Sequence, residues 1–218
     1  MGQMKTVTFY VDFVSPYAWL AFDALPEVLQ GSASSVVYKP ILLGGVLRHH
    51  GNRGPAETPP KRDWTYRQVL WLARQQGLAL ELPARHPFNP LQLLLLAVAT
   101  HPQGTPDAAA CEAVFRHVWE GGLDPLDAAR LASLEQRLSP VLDPRGPEAR
   151  ALLRAHTAEA IGLGVFGTPT FVVDGRLFWG ADSLPMLRAC LDGDSWFDGS
   201  QWHEVGRVDY GLPVEPRS

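Results

Sequence analysis

Ser15-Pro16-Tyr17 follows directly on the apolar run Val7-Thr8-Phe9-Tyr10-Val11-Asp12-Phe13, which places a hydroxyl where a strand hands over to a helix. Ser is a preferred N-cap and Pro is preferred at the first helical position. The unpaired amides of that first turn, with the positive end of the helix dipole, favour negative charge beside them. Ser15 therefore has two compatible readings. It is an ordinary cap, or a cap that also holds an anion or thiolate.

A second motif lies more than a hundred residues later. Gly164-Val165-Phe166-Gly167-Thr168-Pro169-Thr170-Phe171-Val172-Val173-Asp174-Gly175 is followed by Leu177-Phe178-Trp179-Gly180-Ala181-Asp182-Ser183-Leu184. The segment reads as a turn, a short strand, a tight hairpin, a second strand and a closing helix. Pro cannot donate to a sheet ladder, so Pro169 belongs at the first position of its strand, where an X-Pro bond can be cis. Asp174-Gly175 between apolar runs is a two-residue hairpin signal.

The first strand is expected at about Thr6 to Asp12, the helix from Pro16 to about Leu29, and a second strand at about Val36 to Lys39, stopping at Pro40. Strand, helix and strand make the first half of a parallel unit. From Leu42 to about Val165 the chain turns helical. Segments near 63–76, 91–100, 106–120, 125–138 and 147–162 are bounded by Pro, Gly or Asp. His49-His50 reads as part of a Gly-rich loop with no partner ligands at metal spacing, so no metal site is expected. His86-Pro87-Phe88-Asn89-Pro90 reads as a turn leading into a helix. The tail carries Trp196, Phe197, Trp202 and Tyr210, and docking across its own domain or against a second subunit is the simplest use of them.

Two halves of a strand-helix fold separated by a helical insertion resemble a thioredoxin fold. The residues Asp12-Phe13, Ser15-Pro16-Tyr17, Leu42-Leu43-Gly44-Gly45, Gly51-Asn52, Pro59-Pro60-Lys61-Arg62, Phe166 to Phe171, and Phe178-Trp179-Gly180 with Asp182 and Leu184 narrow this. They resemble the 2-hydroxychromene-2-carboxylate isomerases and their relatives, the kappa-class glutathione transferases, within the wider group of bacterial disulfide oxidases. The expected class is α/β, a thioredoxin-like fold with a large all-helical insertion. Residues 1–41 and 166–193 would form the thioredoxin-like domain, 42–165 the insertion and 194–218 an aromatic tail.

The resemblance implies glutathione as cofactor, with its sulfur near the Ser15 hydroxyl and its remaining contacts from Asn52, Lys61, Thr168, Pro169, Asp182 and Ser183. It implies a small aromatic carboxylate as substrate, met by Tyr17, Asn52, Lys61, Arg62 and Trp64. Taken alone, Lys61 and Arg62 also fit solvated loop charges, and Asp182 fits a simple N-cap. Trp64 and Gln68 stand where a tyrosine and an acidic residue are expected, and Ser183 where the family often has Arg. The implied activity is glutathione-dependent isomerisation. A kappa-like transferase and a noncatalytic glutathione- or peptide-binding module are the alternatives.

At the position of a thioredoxin redox pair the chain has Ser15-Pro16-Tyr17-Ala18, which has no thiol and excludes dithiol exchange there. Cys111 and Cys190 are far apart and read as small buried hydrophobes. A net charge of -4 supplies no basic field for nucleic acid or anionic membrane. Leu91 to Ala99, the most apolar stretch, falls short of the roughly 20 residues of a membrane helix. No secretory signal precedes the first strand, so a cytoplasmic protein is expected, and a homodimer is among the expectations because relatives are commonly dimeric.

Overall fold

The computed structural model describes residues 4–209 and 211, so Tyr210 of the aromatic tail lies outside the described residues. Strands β1 (Lys5–Val11), β2 (Ser34–Pro40), β3 (Thr170–Val173) and β4 (Arg176–Trp179) form one sheet in the order β2-β1-β3-β4. β1 runs parallel to β2 and antiparallel to β3, which pairs antiparallel with β4. Asp174 and Gly175, with φ of 50° and 76°, make the two-residue turn between β3 and β4.

Helix α1 (Pro16–Leu29) joins β1 to β2, and α8 (Leu184–Leu191) follows β4. Between β2 and β3 come α2 (Leu43–His50), α3 (Pro59–Gln76), α4 (Leu91–Ala99), α5 (Ala108–Trp119), α6 (Ala128–Leu138) and α7 (Pro147–Gly162). This is a mixed-sheet, thioredoxin-like fold with a helical insertion. Among the described residues no helix is long and apolar enough to cross a membrane.

Both faces of the sheet are covered, which is why β1 reads as a nearly continuous apolar run. Val7, Phe9, Phe171, Val173 and Phe178 face the larger core, where Trp19 of α1 stacks on Phe115 of α5 with ring centroids 5.2 Å apart. That core runs without a break into Leu93 to Ala99 of α4, so the inserted helices pack on α1 and the sheet. On the opposite face Tyr10 packs with Ile41, Val46, Ala160 and Val165 beneath α2 and α7. Phe197 and Trp202 of the tail pack on Phe178, with centroids 5.8 Å away in each case, so the tail docks across β4 of its own domain. Cys111 and Cys190 are both free and buried.

The structure departs from expectation in five elements. α2 exists, and His49-His50 is its last turn rather than a loop; His50 Nε2 lies 3.0 Å from the Val165 carbonyl. α3 begins at Pro59, four residues before the expected start, because Pro is tolerated in a first helical turn. β2 begins at Ser34 rather than Val36. α5 and α6 start at Ala108 and Ala128, each just after an aspartate whose carboxylate accepts from a first-turn amide.

Candidate functional site

β1 ends at Val11, and Ser15 caps α1 with φ -88° and ψ 115°. Its Oγ accepts from the Ala18 N–H at 3.3 Å and donates to the Thr168 carbonyl at 3.1 Å, closing a loop of 153 residues. The two sequence motifs therefore meet side by side. The Thr168-Pro169 bond is cis, and the Pro169 carbonyl accepts from Gly180 N–H at 2.9 Å. Both Ser15 and Thr168 are buried, and Thr168 Oγ1 has no hydrogen-bond partner among the described residues.

The chain leading to Ser15 is gripped at successive peptide units. Trp119 Nε1 donates to the Phe13 carbonyl at 2.9 Å, and Val14 N–H donates to Asp12 Oδ1 at 3.1 Å. His86 Nε2 lies 2.8 Å from the Val14 carbonyl, and Ser15 N–H donates to the Asp12 carbonyl at 3.1 Å. Asp12 Oδ2 accepts from the Leu43 N–H at 2.9 Å, tying the start of α2 to the same loop. Asp12 is fully buried. Loss of solvation pushes its carboxyl up to about 7, against the opposing pull of the Val14 and Leu43 amides. Burial likewise lowers the His86 imidazole, partly offset by its bond to Val14, and favours the neutral ring.

Asp12, His86 and Trp119 were absent from the sequence-derived site. A signal for Asp12 was present, since an acidic residue inside an apolar run at a strand end needs buried partners. His86 and Trp119 reach the loop from distant segments and leave no local pattern. His86-Pro87, read as a turn, has a cis bond and places the imidazole against Tyr66 of α3 and 5.3 Å from the Trp119 ring.

Beside α1, the first turns of α3 and the short turn Pro55–Glu57 before it form an open cleft of about 390 Å³ lined by Pro55, Pro60, Lys61, Trp64 and Thr65. Its wall is apolar, with Lys61 as the single cation among these lining residues. Tyr17 OH donates to Gln68 Oε1 at 2.7 Å, which ties α1 to α3. Burial raises the Tyr17 phenol; a bond from Thr65 opposes this, and the charge of Asp182 adds to it. The turn that carries Asp182, residues 181–183, packs against α1.

Other expected residues are placed less directly. Asn52 is exposed and follows left-handed Gly51, its N–H donating to the Leu47 carbonyl at 2.8 Å. Arg62 is paired with Asp63 at 3.7 Å. Asp182 caps neither its own turn, whose cap is Gly180, nor α8, whose cap is Ser183; its carboxylate is exposed and makes no hydrogen bond or ion pair among the described residues. Ser183 is turned inward, its hydroxyl donating to the Gly180 carbonyl at 2.8 Å. A larger groove of about 710 Å³ between α5 and α6 holds none of the expected residues, and its Arg116 and Arg130 are committed to Glu112 and Glu120 and to backbone carbonyls.

Residues 6–192 match the model of the DSBA-like thioredoxin domain. The chain is 29% identical over 195 residues to the 2-hydroxychromene-2-carboxylate isomerase of Sphingobium xenophagum, covering 86% of this chain and 98% of that protein. It is 26% identical over 210 residues to glutathione S-transferase kappa 2 of Caenorhabditis elegans, covering 86% of this chain and 92% of that one. The solved structure of a 2-hydroxychromene-2-carboxylate isomerase superposes with a TM-score of 0.74 at 26% identity, covering 86% of this chain and 94% of the other. These are the relatives that the Ser15 and Thr168-Pro169 motifs pointed to. With the cap, the cis-proline loop and the mixed sheet in place, the chain belongs to the family of DsbA-like thioredoxin domains.

Proposed function

We propose that the protein is a glutathione-dependent isomerase of the 2-hydroxychromene-2-carboxylate type, interconverting a chromene carboxylate and an unsaturated aromatic 2-oxo acid. The observation that carries this reading is the Ser15 hydroxyl at the start of α1, held against the Thr168 carbonyl, with Tyr17 two residues on tied to α3, whose first turns line a cleft with Lys61 and Trp64. Glutathione would supply a thiolate that adds reversibly to the unsaturated carbon; the ring C–O bond would open, the former double bond rotate, and expulsion of the thiolate restore the double bond and free glutathione. The polar groups suit such a peptide. Thr168 Oγ1 is a buried hydroxyl with no partner among the described residues, and the Asp182 carboxylate is available for an ammonium group.

Ser15 has one proton, here donated to the Thr168 carbonyl. Rotation about Cβ–Oγ would exchange that acceptor for a thiolate while the Oγ lone pair continues to cap α1. The released Thr168 carbonyl would accept from a peptide N–H. A thiol with pKa near 8.5 is about 3% ionised at pH 7, and a shift of two units requires about 2.7 kcal/mol. One hydrogen bond to a charged group supplies about 1.5 to 3 kcal/mol and a helix N-terminus about 0.3 to 1 kcal/mol. Lys61 would hold the substrate carboxylate, with Trp64 and Tyr17 beside the ring; Asn52, Pro169 and Ser183 would shape the glutathione side, and Arg62 the rim.

Similarity to a kappa-class transferase favours a second reading, conjugation of glutathione to an electrophile. Titration of glutathione with the purified protein, followed by thiolate absorbance from about pH 5 to 9, tests the shared step. A saturable signal with lowered pKa is expected, lost in Ser15→Ala. Absence of binding refutes both enzyme readings. Unchanged total glutathione during turnover identifies the isomerase, and its consumption the transferase.

A further inference from the structure

The Val14–Ser15 peptide unit is planar and is gripped at both ends, its oxygen by His86 Nε2 at 2.8 Å and its N–H by the Asp12 carbonyl at 3.1 Å. The preceding unit is gripped in the same way, by Trp119 on the Phe13 oxygen and by Asp12 Oδ1 on the Val14 N–H. These two planes pin Val14 between them and place the Ser15 nitrogen and Cα, and the Ala18 and Trp19 N–H groups hold the Ser15 carbonyl in the plane beyond, so together they set where its Cβ and hydroxyl point. A carbonyl only accepts, so the bond to Val14 requires the proton on His86 Nε2. In the neutral ring Nδ1 is then an acceptor, and Tyr66 OH shares its one proton between that nitrogen at 2.8 Å and the His86 carbonyl at 3.1 Å. Tyr66 stands on α3 next to Thr65, which lines the cleft.

We infer that His86 is a positioning residue that, through its Nε2–H bond to the Val14 carbonyl and its support by Tyr66, sets the direction of the Ser15 hydroxyl and its spacing from the cleft wall on α3. This rests on the reading of Ser15 as the group that meets the glutathione sulfur. His86 touches no reacting atom.

The test compares His86→Leu, His86→Gln and Tyr66→Phe with the unmodified protein. Two readouts are taken: amide hydrogen exchange at Ser15 without glutathione, and the pH at which the bound thiol is half ionised. His86→Leu should speed Ser15 exchange about tenfold, the loss of one net hydrogen bond, and raise the pH at which the bound thiol is half ionised by about one unit, a tenfold weaker ionisation constant. The glutamine side chain carries a donor at similar reach, so His86→Gln should stay within about threefold of the unmodified protein in both readouts. Tyr66→Phe, which leaves the ring in place without its support, should fall between them. It also keeps the test open if His86→Leu fails to fold.

Unchanged Ser15 exchange in both His86→Leu and Tyr66→Phe would overturn the inference. So would equal damage in His86→Gln and His86→Leu, since ring packing on Trp119 would then be what matters. Faster exchange with no lowered thiol pKa in the unmodified protein would instead refute the glutathione reading and, with it, the catalytic meaning of the positioning.

Discussion

Replacing Asp12 by asparagine keeps the shape of the side chain and removes the charge from a fully buried site. The folded carboxyl titrates near 7 against an ordinary value of 3.8, a difference of about 3 units or about 4 kcal/mol. Because the folded value is raised, the stability linked to this group is fully present below pH 3.8 and lost as pH rises through 7. Between these values the folded carboxyl holds its proton and the unfolded one does not, so the slope is about 1.4 kcal/mol per pH unit. The amide has one acceptor oxygen for two backbone donors, Val14 N–H and Leu43 N–H, and turns its NH₂ toward one of them. That mismatch costs about 1 to 3 kcal/mol at every pH.

Urea unfolding of both proteins at pH 5, 6, 7 and 8 separates the two effects. The advantage of the unmodified protein over Asp12→Asn should shrink by about 2 kcal/mol from pH 5 to 7 and level off by pH 8. A difference independent of pH across this range would refute the reasoning. It would mean that two amide donors outweigh burial and keep the carboxylate ionised throughout.

Ser15→Ala removes the cap of α1 and leaves the Thr168 carbonyl without its donor, so denaturant titration should show a loss of about 2 kcal/mol, while the bound thiol should titrate close to its free value. Gly180→Ala places a Cβ on a backbone with φ of 94° and against Asp182 Oδ1, so calorimetry should show weaker glutathione binding from the displaced carboxylate. Lys61→Met should raise KM for an acidic aromatic substrate and reduce the effect of salt on kcat/KM, because the cleft loses its one lining cation. Arg62→Met, from a side chain already paired with Asp63, should change the same steady-state constants far less.

The legible parts of this fold were those with local physical causes. α1 and α7 fall on the expected bounds, because Ser15-Pro16 and Gly146-Pro147 start them with residues suited to a first turn. The Asp174-Gly175 turn is likewise a local matter of positive φ. α2 was invisible because Gly44-Gly45 reads as a breaker, and its start is held from elsewhere: Leu43 N–H by Asp12 and Leu42 N–H by Thr157 of α7. The site divides in the same way. Ser15, Thr168 and Pro169 carry motif signals and do meet, whereas the side chains that hold them still come from Tyr66, His86 and Trp119. Ser183 illustrates the reverse, since position along the chain gave no sign that its hydroxyl would turn inward.

The central strand pair has a consequence for how the protein is made. β1 leads the chain, yet its antiparallel neighbour β3 begins only at Thr170, and the Ser15 to Thr168 contact spans 153 residues. At a synthesis rate of roughly 5 to 20 residues per second, that separation is about 8 to 30 s on the ribosome. Throughout that interval β1 and β2 can pair, but the edge of β1 that β3 will occupy stays open to other strands. Nascent chains stalled before residue 170 should therefore be the aggregation-prone species, and a chaperone that shields the β1 edge should raise yield without changing the stability of the finished protein.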